Sequence, residues 1–158
     1  MGQLSALIAD KLVAFDSAPL IYYIEEHSDY LSLVDELFDA FDSGLARGMT
    51  SVLTLHEVLV KPLRDGQPEI AEKYRQALAN STNVALKLID EATCETAARM
   101  RAKYHWLRTP DALQIATAIT HQADVIVTND QKWRNLTEGN VVVLSSLAEL
   151  VKRPGPMS

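Results

Sequence analysis

Two short β-branched runs, Asp124–Thr128 (DVIVT) and Asn140–Leu144 (NVVVL), limit the folds open to this chain. Nearly continuous apolar runs suit strands covered on both faces, and such strands belong to parallel sheets with helices above and below. Lys11–Asp16 (KLVAFD), Met49–Val52 and Asn83–Ile89 (NVALKLI) are further strand-like runs. Between them, apolar residues recur at helical spacing: Leu31, Val34, Leu37, Phe38 and Phe41 in one stretch, Leu55, Val58, Leu59 and Leu63 in another. The first of these helices should end in the Gly44 and Gly48 region, and Pro62 should help to end the second. Further helices are expected over Ser17–Glu26, Glu69–Ala79, Ala92–His105, Pro110–His121 and Ser145–Val151. Strands alternating with helices predict an α/β fold, a three-layer α/β/α sandwich around a short parallel sheet with right-handed crossovers. A chain of 158 residues fits one domain with a real core. That domain is expected to span 1–151, with a flexible C-terminal tail over 152–158.

With 47% apolar and 23% charged residues, the chain has the composition of an ordinary soluble globular protein. Its single cysteine, Cys94, excludes an internal disulfide framework and any multi-cysteine zinc site. On a helix, Cys94 is expected to be a small core residue. No window approaches roughly 18 uninterrupted apolar residues, and the first ten residues carry no basic, then apolar, leader pattern. A cytoplasmic protein with no membrane partner is expected. The net charge of −6 argues against a nucleic-acid partner until its distribution is considered. Of 21 acids, eight lie between Leu12 and Ala46, where there is no Lys or Arg, leaving 13 acids against 15 bases elsewhere. Arg99, Arg101, Lys103 and Arg108 cluster in that basic remainder. The acidic lobe reads either as a solvated helix face or as a docking surface for a basic partner.

Asp16, Glu57, Asp111 and Asp130 each stand where a strand hands over to a helix or where a helix begins. Loops at one edge of an α/β sheet can gather such residues into a single pocket. Carboxylates gathered there repel one another and stay ionised together only with a cation between them. Each also has a structural explanation. Asp16 and Asp130 suit helix N-caps or turns. Thr54 and Glu57 match a capping box, and Thr109, Pro110 and Asp111 read as N-cap, N1 and N2 with Asp111 against the helix dipole. Asp111 opens a helix that follows another helix, so strand geometry alone does not account for it. Glu57 needs no capping role if its helix begins at Ser51 or Val52.

The residues around these acids carry a resemblance. Val13-Ala14-Phe15-Asp16-Ser17 with Leu20-Ile21-Tyr22-Tyr23, the segment Thr50–Val58 ending in His56-Glu57-Val58, Pro110–Ala118 with Asp111 opening an alanine-rich helix, and Val125–Asp130 followed by Trp133 occur in this order. Together they resemble the four motifs of PIN-domain nucleases, over Val13 to about Leu144. The resemblance implies a PIN-like sandwich and a metal-dependent endoribonuclease with Asp16, Glu57, Asp111 and Asp130 as catalytic and metal-binding residues. It implies one or two Mg²⁺ or Mn²⁺ ions, since these prefer carboxylate and water oxygens. Asp16 and Asp111 would be direct ligands, with Glu57 and Asp130 acting directly or through water. Ser17, Thr128 and Asn129 would support the ligands, and Arg108 would contact phosphate. Small members resemble VapC-type toxins, which implies an RNA substrate, a protein antitoxin and a homodimer. A non-catalytic PIN-like module that binds RNA or protein is the alternative. A receiver-like or phosphatase-like domain fits less well, because the first strand ends in Asp16-Ser17-Ala18 without an acidic pair. His56, His105 and His121 show no metal-ligand spacing, and Trp106 and Trp133 suit packing or base stacking.

Overall fold

A computed structural model describes residues 2–152. The strands are β1 (Leu12–Phe15), β2 (Arg47–Ser51), β3 (Val84–Lys87), β4 (Val125–Thr128) and β5 (Val141–Val143). They form one parallel sheet in the order β3-β2-β1-β4-β5. The helices are α1 (Gln3–Ile8), α2 (Ser17–Ile24), α3 (Leu31–Asp42), α4 (Val52–Arg64), α5 (Pro68–Asn80), α6 (Glu91–Lys103), α7 (Thr109–Thr120) and α8 (Leu144–Lys152). This is the expected three-layer sandwich, and the strand alternation builds it. Val13 and Phe15 of β1, with Val125 and Val127 of β4, face a core formed by α1 to α5 and α8. Ala14 and Ile126, one residue out of phase, face the second core of α6, α7 and Trp133. In the first core Phe15, Phe38 and Phe41 pack with ring centroids 5.4 to 5.9 Å apart. β2 passes beneath that cluster at Gly48, where a Cβ would stand 2.9 Å from the Phe41 ring.

Several sequence expectations need correction. α1 was not anticipated: six residues are too few for a periodic signal, yet Leu4 and Ile8 are fully buried. Gly48 belongs to β2, and it is Gly44, at φ +80°, that turns the chain after α3. α4 starts earlier than its apolar stripe, at Val52, and continues through Pro62 to Arg64. Proline removes its own N–H bond but does not forbid helical dihedrals in the two residues that follow. Cys94 is exposed, because the inward stripe of α6 consists of Thr93, Ala97 and Met100. Lys152, expected in the tail, is the last residue of α8, and the rest of that expected tail, 153–158, lies outside the described residues. Among the described residues no helix is long and apolar enough to cross a membrane.

The strand order matters for function. From β1 the chain moves to β2 and β3 on one side, whereas from β4 it moves to β5 on the other. The C-terminal ends of β1 and β4 therefore flank the point where the winding reverses, and there the outgoing loops part and leave a crevice. Asp16 follows β1 directly, and Asn129 and Asp130 follow β4.

Candidate active site

Asp16 occupies the N-cap position of α2, but its side chain makes no capping bond. Its Oδ2 instead accepts from the Thr128 hydroxyl at 2.7 Å, across the β1–β4 junction. Its Oδ1 is sealed from solvent without a hydrogen-bond partner, although the residue as a whole keeps some exposure. Buried polar oxygens are nearly always paired, so an orphaned carboxylate oxygen at a sheet crevice calls for an explanation. Burial pushes the Asp16 carboxyl up to about 7; the Thr128 bond opposes the rise, and the charges of Glu57 and Asp111 add to it. The nearby Ala18 N–H in the first turn of α2 lowers it slightly, although it lies outside full capping geometry.

Glu57 lies on α4, in the second turn. Ser51 caps that helix by accepting from the Leu53 N–H at 3.1 Å, so the expected capping box between Thr54 and Glu57 does not form. Freed from capping, Glu57 Oε1 accepts from the Ser17 hydroxyl at 3.0 Å and from Gln114 Nε2 at 2.9 Å. Thr54 is fully buried, and its hydroxyl accepts from the same Gln114 amide at 2.9 Å and pairs with the Thr50 hydroxyl at 2.8 Å. Thr50 in turn donates to the Phe15 carbonyl at 2.6 Å, one residue before Asp16. A polar chain thus runs from α7 across the sheet edge to the end of β1.

Asp111 is the third residue of α7, with Arg108 rather than Thr109 at the N-cap position. Its carboxyl is held above the usual carboxylate range by burial first and then by the charges of Asp130 and Glu57. Arg108 and Lys132 oppose that rise with positive charge. For Asp130 the capping explanation applies, since its Oδ1 accepts from the Lys132 N–H at 2.9 Å and opens the 3₁₀ turn Gln131–Asn135. The Thr128 hydroxyl, while donating to Asp16, accepts from the Asp130 N–H at 3.1 Å, tying the two acids together. Asn129 does more than shape a turn: its Nδ2 donates to the Tyr22 hydroxyl at 3.0 Å, and its Oδ1 accepts from the Ser145 N–H at 2.9 Å.

The four acids therefore share one electrostatic neighbourhood at the C-terminal edge of the sheet. As placed, among the described residues, no three Asp, Glu, His or Cys side chains are gathered closely enough to hold a metal ion. The donor set nevertheless suits a hard cation: oxygen only, like-charged, and with one buried carboxylate oxygen unsatisfied. A cavity of about 840 Å³ between α2 and α5 contains none of the four acids. Trp133 is buried in the second core, so it packs rather than presenting a face to a base.

Sequence reasoning missed Gln114, Thr50, Thr54, Lys132 and Tyr22 as parts of this site. Gln114 had a signal, because it lies three residues after Asp111 and so shares its helix face. Thr54 was obscured by the capping pattern. Lys132 had no signal at all, since its relation to Asp111 exists only in three dimensions.

Comparison with known proteins supports the same region. The PIN domain family model matches residues 13–139. No curated relative matches the chain. Among solved structures the chain is similar to one in VapBC2 from Rickettsia felis bound to a promoter DNA fragment, with TM-score 0.67, 15% identity, and coverage of 84% of this chain and 98% of that one. A toxin–antitoxin complex from Klebsiella pneumoniae gives TM-score 0.64 at 22% identity, covering 84% of this chain and 97% of that one. DNA-bound VapBC from Salmonella typhimurium gives 0.67 at 16%, covering 85% and 98%. At these identities the likeness is one of fold.

Proposed function

Since the chain belongs to the PIN-domain family, we propose that it is a metal-dependent endoribonuclease, the toxin of a toxin–antitoxin pair, acting in the cytoplasm. The observation that carries this reading is the buried, unpartnered Oδ1 of Asp16 beside three further acids. A sealed carboxyl pushed up to about 7 by burial and by like charge is costly to ionise, and a divalent cation offsets that cost. Asp16 and Asp111 would hold Mg²⁺ or Mn²⁺ directly, with Glu57 and Asp130 as direct or water-mediated ligands, for one or two ions. When bound, such an ion supplies Lewis-acid activation of water and neutralises charge developing on the phosphodiester.

The surrounding residues hold these ligands in place. Thr128 engages Oδ2 of Asp16 and so leaves Oδ1 as the free donor atom. Ser17 and Gln114 fix Glu57 from two sides, which orients an otherwise exposed side chain. Asn129 fixes the turn that carries Asp130. Arg108 and Lys132, whose charges act on Asp111, would attract and orient the phosphate.

RNA is the proposed substrate and a protein antitoxin the proposed inhibitor. The similarity to chains from toxin–antitoxin complexes supports the second partner. The acidic segment 12–46 suits a basic stretch of such an antitoxin, and a homodimer is the proposed assembly. The test incubates the protein with single-stranded RNA and Mn²⁺, with and without EDTA, beside Asp111→Asn. Cleavage should require the metal and be lost in the variant. Equal RNA degradation in every tube would sink the nuclease reading, and RNA binding without cleavage would favour a non-catalytic module.

A further inference from the structure

A second, smaller cavity opens beside the acidic centre, and its chemistry differs from that of the centre itself. It has a volume of about 220 Å³ and lies between the end of α2 and α4, with Tyr74 of α5 as its floor. Tyr22, Glu25, His27, Glu57 and Lys61 form its walls. It shares Glu57 with the acidic centre. Through Tyr22 it is also tied to the turn after β4, because the Tyr22 hydroxyl accepts from Asn129 Nδ2 at 3.0 Å.

The aromatic walls are held in place rather than loosely exposed. Tyr30 stacks on Tyr22 with centroids 4.7 Å apart and planes 21° apart. His27 lies 4.8 Å from Tyr22 and 5.0 Å from Tyr30. The His27 ring is oriented by its Nδ1, which accepts from the Asp29 N–H at 3.2 Å. His27 itself is exposed, so the ring presents surface to an incoming group. A tilted Tyr and His pair fixed in this way is a stacking platform of the kind that single-stranded RNA uses.

Charge then decides which part of a nucleotide enters. With Glu57 committed to the acidic centre, Glu25 balances the single ammonium of Lys61 on the wall, so the interior offers a phosphate no net positive charge. A base is neutral and has a π face. Tyr74 donates its hydroxyl to Glu25 and holds it, leaving the carboxylate with lone pairs for an N–H on a base edge. The volume is below the roughly 300–1,000 Å³ of pockets that take drug-sized ligands, which suits one flat base.

We propose that this cavity is a nucleobase subsite: a base next to the scissile phosphate leaves the stack and lies against Tyr22 and His27. The subsite rests on the ribonuclease reading and adds to it the element that selects where the strand is cut. Its position fits that role, since Glu57 borders both the base and the acids that would process the adjoining phosphate.

The test maps the cut in a single-stranded RNA with Mn²⁺ and then repeats the kinetics on RNAs carrying an abasic ribose at each position flanking the cut. One abasic position should lower wild-type kcat/KM by about 5- to 150-fold, the usual worth of one stacked base. His27→Ala and Tyr22→Leu should lose a comparable factor on intact RNA but little more on that abasic RNA, because the interaction is already gone. His27 is exposed, so its variant should keep the wild-type melting temperature even if Tyr22→Leu does not fold. Equal cleavage of intact and abasic RNAs by the wild type would overturn the subsite while leaving the nuclease reading intact. Equal losses by the variants on both RNAs would overturn it too, by showing a structural role for the rings. Absence of any Mn²⁺-dependent cleavage would remove the nuclease reading and the subsite together.

Discussion

Replacing Asp16 by Asn should stabilise the metal-free protein at neutral pH, although it removes a proposed metal ligand. In the fold the Asp16 carboxyl is pushed up from 3.8 to about 7, chiefly by burial, against the Thr128 bond and with help from Glu57 and Asp111. A group that holds its proton more tightly folded than unfolded favours the fold only while protonated. That contribution is complete below about pH 4 and is lost as pH rises to about 7, beyond which the loss is constant. At about 1.36 kcal/mol per pH unit the loss approaches about 4 kcal/mol, a large share of the roughly 5–15 kcal/mol that stabilises a typical domain. Asn keeps the shape and an acceptor for the Thr128 hydroxyl but never ionises. Urea denaturation in EDTA should therefore show Asp16→Asn matching the wild type near pH 4 and exceeding it by up to about 4 kcal/mol at pH 8. Mn²⁺ at pH 8 should stabilise the wild type, by about 2.7 kcal/mol at a hundredfold excess over its dissociation constant, and leave the variant unmoved. A stability difference that stays flat from pH 4 to pH 8, or a variant weaker than the wild type at pH 8, would refute the reasoning.

Gln114→Leu leaves Glu57 held by Ser17 alone and strips the buried Thr54 hydroxyl of a donor. Mn²⁺-dependent RNA cleavage should fall about 10- to 100-fold, as for other residues that orient metal ligands, and steady-state kinetics on purified variant would show it. Gly48→Ala pushes a Cβ to within 2.9 Å of the fully buried Phe41 ring, so thermal or urea unfolding should register a loss of about 1–3 kcal/mol.

The fold was largely legible because its signals are local. DVIVT and NVVVL announce strands buried on both faces, and β4 and β5 fall within them. The helix α3 follows from apolar spacing, and α6 and α7 end within a few residues of the helices expected there. α1 escaped because six residues hold under two turns, and its burial comes from α3 packing over it rather than from its own pattern. The site was legible as residue types but not as roles. Thr54 and Glu57 spell a capping box, and only the helix start at Val52, with Ser51 as cap, releases Glu57 to face Gln114. Asp16 and Asp130 looked alike on paper, yet Asp130 caps a turn while the strong bond of Asp16 goes to Thr128 across the sheet rather than to its own helix.

From the order of residues alone came the α/β class, the four acids and the family motifs around them, because strand and helix periods and motif letters are properties of short stretches. Only the tertiary structure placed β1 beside β4, and with them Asp16 beside Thr128, since strand order is set by how whole layers cover one another. The same closure sealed Oδ1 of Asp16 from water. An aspartate that is ordinary in sequence thereby becomes a carboxyl held near neutrality, because desolvation depends on every atom packed around a charge and on none of its neighbours in the chain by itself.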